Sequence, residues 1–295
     1  MATYFYLGGP GLLTALPHPT QAPNVPWERR TNTRDTIGGG RLVDFAPGGR
    51  RTWDLTWEGV QSADLTLLRG FYSGHSGAGP WILLDPQETN MLTVNQSSAT
   101  SADNATTGWT VAGTGGTIAS QTAVYKRGPR ALAWTFASAT PGTSTLDCAP
   151  PQTAWYGLPV VPATTYTWSV QLKGSGTDAV VAVTPQIVWY TSAGVVVSTT
   201  SGTPVSTSAS AWQQATVSAA APATAAFGLP RLSADSATVG AGSVVNVDEP
   251  QFEAAAAAST WQPGLGVPLV SWTDMPTEYP RGSWWDVSGT LVEVG

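Results

Sequence analysis

Short segments of the first 92 residues alternate between hydrophobic and polar positions, which is the pattern of half-buried strands. In Thr52–Trp57 the two tryptophans and Leu55 fall on one face of an extended chain, and the polar residues fall on the other. Arg41–Phe45 is also predicted as a strand. The Pro-Gly-Gly turn at 47–49 between these segments predicts that they form a hairpin.

The periodicity changes at Ser62–Tyr72, where Leu65, Leu68 and a final tyrosine recur at helical spacing. Ser62 is placed to cap the first turn, so this segment is predicted as the one helix of the chain. The apolar run Trp81–Leu84 follows a loop of small residues and is predicted as a buried strand.

Both ends of the chain have weaker patterns. Residues 1–26 are rich in Pro and Gly and alternate little beyond Thr3–Leu7, which predicts a short strand and then an extended arm ordered by neighbouring subunits. Residues 283–287 and 290–294 alternate on either side of Ser288-Gly289. We expect them to form a hairpin that completes the sheet begun by residues 3–57.

From Gly108 onward the alternating segments are short and evenly spaced, with turn residues roughly every 8–12 positions and no helical pattern between them. This arrangement predicts a β-sandwich or jelly roll. The predicted strands are Trp109–Ala112, Ala131–Ala137, Tyr166–Lys173, Val180–Tyr190, Gly194–Thr199, Gln213–Ala219, Ala226–Ser233 and Val244–Phe252.

The density of charged residues changes at the edges of this strand-rich region. Residues 1–92 contain seven Lys or Arg and eight Asp or Glu, whereas residues 93–262 contain five and seven in nearly twice the length. Such a change is typical of one domain interrupted by another. We therefore predict a host domain at residues 1–92 and 263–295, with an inserted domain at 93–262.

Composition excludes several classes of partner. The net charge of −6, without a run of Lys or Arg, argues against nucleic-acid binding. No segment approaches the ~20 apolar residues of a membrane span, and the first residues lack the pattern of a signal peptide. Cys148 is the single cysteine, so we expect a small buried or half-buried thiol and no internal disulfide.

The host domain has a family resemblance. Gly79–Pro86 followed by Asn90-Met91-Leu92, after Thr52–Trp57 and the helix, resembles the N-terminal region of distal-tail-type and minor tail proteins of tailed phages. The likeness covers about residues 30–92 and 264–295. It implies an all-β fold with minor helix, in which a small split β-barrel is interrupted by the inserted sandwich. It also implies a hexameric ring that contacts tail tube and tail hub proteins.

The insert resembles the jelly-roll carbohydrate-binding modules of secreted glycosidases and phage tail proteins. The motifs that carry this likeness are Trp109, Gly128–Leu132, Tyr166–Lys173, Trp212–Gln214 and Val247–Glu253. In such modules an acidic residue on the last strand can hold a structural calcium ion, and Asp248 is the match. No loop rich in Asp or Asn accompanies it, so calcium stays open, and no other cofactor is expected.

Sugar binding requires exposed aromatic faces with polar side chains beside them. Trp155 and Tyr156 lie in a loop rich in Pro and Gly, where strand alternation does not require burial. Trp189 and Tyr190 are neighbours on one predicted strand, so we expect one to be buried and the other exposed. With Gln186 as a hydrogen-bonding partner, these are the candidate glycan-binding residues.

No catalytic residues are predicted, and we expect binding without chemistry. His18 and His75 are the only histidines, and the near-match to a nucleophile elbow at 74–78 follows a helix and ends in alanine. Asp248 and Glu249 are adjacent on a predicted strand. We expect them to point to opposite faces, which would prevent an acid–base pair.

Together, the two resemblances imply a structural virion protein, assembled in the host cytoplasm, that forms a distal-tail-like ring and attaches to host-surface glycans through its insert. One alternative is a tail tube, minor tail or capsid-decoration protein whose insert has no glycan-binding role. Another is a secreted glycan-binding protein or glycosidase accessory module.

Overall fold

The computed structural model describes residues 4–21, 25, 27–28, 31–35, 41–45, 50–113, 115–137, 142–235, 239–274 and 277–294. Its regular structure is nearly all β, which confirms the predicted fold class. The chain divides into two compact units. We name Tyr4–Gly9, Thr14–Asp85 and Pro268–Gly295 the sheet unit, and Pro10–Leu13 with Pro86–Val267 the sandwich unit. No helix in the described ranges has the length and apolar character needed to span a membrane.

In chain order the elements are β1 (Tyr6–Gly8), β2 (Thr14–Ala15), β3 (Trp27–Glu28), β4 (Thr31–Asp35), β5 (Arg41–Phe45), β6 (Arg50–Val60), α1 (Ser62–Tyr72), β7 (Trp81–Leu84), α2 (Val94–Ser97), β8 (Trp109–Gly113), β9 (Gly116–Gln121), β10 (Ala131–Phe136), β11 (Thr143–Cys148), β12 (Leu158–Pro159), β13 (Thr165–Gly176), β14 (Ala182–Tyr190), β15 (Val196–Ser201), β16 (Val205–Ser206), β17 (Gln213–Ala220), β18 (Phe227–Asp235), β19 (Ser243–Glu253), β20 (Leu269–Trp272), β21 (Thr277–Arg281) and β22 (Trp284–Glu293).

In the sheet unit, the C-terminal strands β20 and β22 lie side by side between N-terminal strands of one antiparallel sheet. The strand order is β2-β1-β7-β20-β22-β6-β3, and β21 pairs with β22 outside this path. β22 runs along β6 from Trp285 opposite Val60 to Val292 opposite Thr52. The last strand of the chain is therefore part of the N-terminal sheet.

One face of β6 contributes to the core of the sheet unit. Trp53, Leu55 and Trp57 are at most 1% exposed and share one apolar cluster with leucines of α1. This is the face that the alternation predicts. The helix α1 has the predicted limits, but its N-cap residue is Gln61 rather than Ser62, and no side chain caps it.

The predicted hairpin between Arg41–Phe45 and Thr52–Trp57 is wrong. β5 pairs instead with β4, from Asp35 opposite Arg41 to Thr31 opposite Phe45. The partners of β6 are β22 and β3. The turn residues at 47–49 suggested that neighbouring segments pair. The prediction failed because β6 pairs instead with β22, which is far away in sequence. The predicted turn at 47–49 lies outside the described residues.

The predicted C-terminal hairpin is also wrong. Trp284–Glu293 is one continuous strand, and Ser288-Gly289 lies inside it rather than at a turn. The glycine serves packing, because a Cβ at Gly289 would lie 2.4 Å from the ring of Trp272. The hairpin partner of β22 is the preceding strand β21.

Residues 14–20, predicted as part of an extended arm, pair within the sheet unit. β2 pairs with β1, and the side chain of Leu16 is 1% exposed. The backbone N–H of Thr20 donates to the carbonyl oxygen of Thr56 at 2.8 Å. These residues are therefore held by their own chain.

The short helix α2 does not follow from apolar periodicity. The Thr93 hydroxyl accepts a hydrogen bond from the backbone N–H of Gln96, and the side-chain oxygen of Gln96 accepts from the backbone N–H of Thr93. This reciprocal arrangement is a capping box. The Thr-x-x-Gln spacing was the signal in the sequence that could have predicted the helix.

The sandwich unit consists of two antiparallel sheets, which confirms the predicted sandwich. One has the order β17-β13-β19-β10-β9. The other, which we name the seven-stranded sheet, has the order β15-β14-β18-β11-β8, with β12 on β18 and β16 on β14. Tyr166 stacks on Phe252 at 5.5 Å between ring centroids and meets Trp189 edge-on at 6.3 Å. These fully buried rings form part of the sandwich core.

Candidate functional site

Strand alternation gives the seven-stranded sheet an inner and an outer face. In β14 the ring of Trp189 points into the sandwich and is fully buried, whereas Gln186 and Tyr190 point to the other side and are half-buried. The ladder to β18 places Phe227 opposite Tyr190 and Arg231 opposite Gln186. We name this side of the sheet the outer face.

An aromatic cluster lies at one end of the outer face. The ring of Tyr156 lies 6.1 Å from Tyr190, nearly parallel to it, and 6.1 Å from Phe227. The ring of Trp155 lies 6.3 Å from Phe227. Tyr156 is 43% exposed, whereas Trp155 is 7% exposed and Phe227 is fully buried. Tyr156 is therefore the exposed surface of a cluster whose inner members are fixed by packing.

Gly194 determines where the Tyr156 ring can lie. Its φ is +79°, and a Cβ at this position would lie 2.2 Å from Cζ of Tyr156. Glycine alone combines this backbone conformation with such a close approach. Val196 follows in β15, opposite Tyr190, and is 53% exposed. The turn at Gly194 therefore leaves room for the Tyr156 ring, and Val196 adds an exposed apolar side chain next to Tyr190.

A row of polar side chains crosses the outer face at the level of Gln186. Gln186 is four residues from Tyr190 along β14, which corresponds to about 13 Å of extended strand. The strand ladders align Ser201, Gln186, Arg231, Asp147 and Thr110 on five neighbouring strands, and we name them the polar row. Gln186 Nε2 donates to Ser201 Oγ at 3.1 Å. Arg231 donates to the two oxygens of Asp147 at 2.6 and 2.8 Å.

The Arg231–Asp147 ion pair is partly accessible. The two-point hydrogen bonding to Asp147 raises the pKa of Arg231 further above its ordinary value, although partial burial opposes this. The side chain of Arg231 is 23% exposed and that of Asp147 is 12% exposed. The pair therefore offers polar atoms to a ligand without contributing net charge.

Three of the five predicted glycan-binding residues lie accessible on the outer face, namely Tyr156, Tyr190 and Gln186. Trp189 does not, because alternation turns its ring into the sandwich, where it is fully buried. Trp155 contacts Phe227 in the aromatic cluster but is nearly buried, so it offers little surface to a ligand. Of the adjacent pair, Trp189 is thus the inner residue and Tyr190 the outer one.

Sequence reasoning missed Arg231 and Asp147. The strand β11 that carries Asp147 begins Thr-Ser-Thr and has no clear hydrophobic stripe, so the pattern did not predict it. Only the ladder to β18 reveals the pair. Cys148, which follows Asp147, is buried as predicted. Burial, with the neighbouring Asp147 charge, raises the pKa of its thiol well above the ordinary value.

The prediction that Asp248 and Glu249 point to opposite faces is wrong. The ladder between β13 and β19 is irregular here, and Glu249 has a φ of +48°. Asp248 accepts backbone hydrogen bonds from Lys126 and Arg127 at 2.6 and 2.9 Å. Glu249 accepts from the side chains of the same two residues at 2.7 and 2.8 Å. Both carboxylates therefore face one basic turn.

These surroundings do not fit the calcium ion that the resemblance implied at Asp248. Calcium binds roughly six to eight oxygen atoms, whereas this carboxylate faces N–H donors and lies beside two cationic side chains. Across the described ranges, no three His, Cys, Asp or Glu residues are grouped to hold a metal. Burial raises the pKa of Asp248, and its three backbone N–H donors offset part of this effect. Burial also acts to raise the pKa of Glu249, but Lys126 and Arg127 outweigh it and lower that pKa.

No protein-family model and no curated protein sequence matches this chain. Solved structures match at low identity. The CBM22-1 xylan-binding domain of Xyn10C from Paenibacillus barcinonensis is 14% identical with a TM-score of 0.40, over 54% of this chain and 92% of that chain. A second xylan-binding CBM 22 domain is 12% identical with a TM-score of 0.42, over 59% and 100%. The enzymatically active domain of Bacteriophage CBA120 tailspike protein 4 is 11% identical with a TM-score of 0.41, over 56% and 21%. Likeness at this level does not assign a function.

Proposed function

We propose that the sandwich unit is a carbohydrate-binding module that binds glycans on the outer face of the seven-stranded sheet. The observation that carries this proposal is the Tyr156 ring, which is 43% exposed and stacked on Tyr190. The C–H groups of a sugar pack on such a ring, while neighbouring polar side chains take its hydroxyls. Gln186 lies on the same face, four residues along β14 from Tyr190, and offers its amide to hydroxyls of a glycan that extends beyond the stacked sugar.

The aromatic cluster is organised before a ligand arrives. The buried ring of Phe227 contacts Tyr156 and is itself packed against Trp155, and the absence of a side chain at Gly194 leaves room for the phenol ring of Tyr156. A ring held in this way loses little conformational freedom when a sugar binds, so more of the contact energy is available for affinity. This supports a binding role for an aromatic residue that is otherwise costly to leave exposed.

Retention on glycans tests this proposal. The full chain would be applied to a glycan array and to insoluble bacterial cell-wall and capsule polysaccharides, as wild type, Tyr156→Ala and Tyr125→Ala. Tyr125 is a matched control because it is 48% exposed and follows β9, a strand of the other sheet. We expect retention by the wild type and by Tyr125→Ala, and its loss in Tyr156→Ala. Equal retention of all three proteins would refute the site.

We further propose that the sheet unit is the assembly domain of a phage tail-tip protein, and that the chain belongs to the virion. The resemblance of residues 30–92 and 264–295 to distal-tail-type proteins supports this. A ring of identical chains, with tail tube and tail hub proteins as neighbours, would present many copies of one weak glycan site. Such multivalency raises effective affinity by ~10²–10⁴. In this proposal the protein binds host glycans and catalyses no reaction.

Electron microscopy and mass photometry of the purified chain test the assembly. We expect hexameric rings at high protein concentration. Monomers alone, in a protein that still binds glycans, would favour the secreted glycan-binding alternative. Rings without any glycan retention would favour a tail tube, minor tail or decoration protein whose sandwich unit only coats the particle.

A further inference from the structure

The polar row and the aromatic cluster lie at different levels along the same two strands. Tyr190 and Gln186 are separated by four residues of β14, and their partners Phe227 and Arg231 by four residues of β18. Four extended residues span about 13 Å, which is longer than a single sugar ring. Between them, Val188 and Leu229 are buried, at 2% and 6% exposed.

Gln186 and Arg231 of the polar row have more hydrogen-bond donors and acceptors than their bonds within the row use. Two of the five N–H groups of Arg231 are taken by Asp147. Gln186 uses its amide N–H toward Ser201, which leaves its carbonyl oxygen as an acceptor. The row thus combines donors and an acceptor at one level of the sheet. Sugar hydroxyls need both, since each donates one hydrogen bond and accepts others.

Charge on the outer face is nearly balanced. Arg231 and Asp147 neutralise each other, and the other charged residue of these strands, Asp235, lies at the far end of β18. An anionic sugar would meet no uncompensated cation here, and a cationic sugar would meet no uncompensated anion within the row. A balanced, partly buried ion pair fits uncharged hydroxyls that accept and donate hydrogen bonds at fixed positions.

We infer that the polar row is a second subsite of the glycan site, and that the ligand is an uncharged oligosaccharide lying along β14 and β18. One sugar stacks on Tyr156 beside Tyr190, and another binds Gln186 and Arg231, which lie about 13 Å along the strands from Tyr190 and Phe227. This inference rests on the proposed glycan-binding function. It adds a minimum length and a charge class to the ligand.

Titration calorimetry with the full chain tests the inference. The probes are cello-, xylo-, malto- and chito-oligosaccharides from disaccharide to hexasaccharide, with oligogalacturonates and chitosan oligosaccharides as charged counterparts. For an uncharged series that binds, we expect the hexasaccharide to bind ~10-fold more tightly than the disaccharide. Gln186→Ala should weaken the hexasaccharide by ~3- to 10-fold, as expected for losing about one hydrogen bond, and leave the disaccharide unchanged. Gln214→Ala, on the exposed edge strand β17, is the matched control.

Arg231 is tested as a pair with its partner, because removing one member would leave a partly buried charge alone. The double variant Arg231→Gln with Asp147→Asn keeps the face uncharged, and its thermal midpoint shows whether it is folded. It should reproduce the chain-length effect of Gln186→Ala. Equal affinity for disaccharide and hexasaccharide, or tighter binding of a charged series, would overturn the second subsite while glycan binding through Tyr156 stands. Absence of binding to every probe would overturn the glycan-binding function itself.

Discussion

The side-chain amide of Asn90 donates a hydrogen bond to the carbonyl oxygen of Gln262 at 2.8 Å, across 172 positions of sequence. It also donates to the carbonyl oxygen of Pro250, and its own oxygen accepts from the N–H groups of Leu92 and Phe252. Two donors and two acceptor sites are thus all used. The Asn90 side chain is 2% exposed. It therefore connects the first residues of the sandwich unit to β19 and to the segment through which the chain leaves the unit.

Asn90→Ala should lower the free energy of unfolding by about 2–3 kcal/mol, because it leaves several buried backbone groups without partners. Chemical denaturation followed by tryptophan fluorescence measures the change. Asn95→Ala, at a half-buried position of α2, is the control and should shift stability by less than about 1 kcal/mol. Equal effects of the two substitutions would show that Asn90 has no special role in this connection.

Stability should depend on Glu249 at acid pH. Its pKa in the folded protein is below the ordinary value of 4.5, because Lys126 and Arg127 outweigh the effect of burial. A lowered folded pKa contributes stability above the ordinary value, and this contribution is lost as the pH falls through the folded pKa. Asp248 acts in the opposite direction, because its raised pKa favours the fold at low pH and that contribution is lost as the pH rises.

Glu249→Gln should therefore cost about 1–2 kcal/mol at neutral pH and flatten the acid limb of the stability profile. Denaturant titrations between neutral and acid pH measure both effects. Glu58→Gln, at an exposed position of β6, should keep the wild-type profile. A Glu249→Gln profile that runs parallel to the wild type at all pH values would contradict the assignment.

Calcium should not stabilise the protein. The basic turn at Lys126-Arg127 donates to Oδ2 of Asp248 and to both carboxylate oxygens of Glu249, and the backbone N–H of Glu249 donates to Oδ1 of Asp248, so a bound cation would have to displace these donors. We expect the thermal midpoint to change by less than about 1 °C on adding millimolar Ca²⁺ or EDTA. A structural calcium ion would instead raise the midpoint with concentration, by mass action on the folded state. That rise would mean that the turn moves aside for the metal.

Gly194→Ala should abolish glycan retention, as Tyr156→Ala does, because the added methyl group occupies the position of the Tyr156 ring. The left-handed backbone conformation adds a cost of about 1–2 kcal/mol for any residue with a Cβ. Gly282→Ala controls for that cost, since Gly282 has a φ of +67° and open space around it. Retention by Gly194→Ala equal to that of the control would show that the ring position does not matter.

The alternation of hydrophobic and polar residues correctly predicted which side chains are buried, wherever one face of a strand packs against the core. The alternation of Trp53, Leu55 and Trp57 places these side chains on one face, and all three are buried. The loop before β12 was a reasonable place to look for an exposed aromatic residue, and Tyr156 is exposed there. Such features depend on the chain within a few residues, so the sequence alone contains them.

The sequence pattern could not predict which distant strands pair with each other. The hairpins expected at 41–57 and 283–294 fail because β6 and β22 pair with each other, burying both of their apolar faces. The polar row likewise gathers side chains from five strands, and no spacing along the chain relates Asp147 to Arg231.

The amino-acid sequence by itself determined the all-β class, the limits of α1 and a short list of aromatic candidates, because these follow from alternation, helical spacing and turn chemistry. Only the tertiary structure decided that Tyr190 faces outward while Trp189 is buried, and that Glu249 turns toward Lys126. The physical reason is that strand register and bulges are set by packing between segments far apart in the chain.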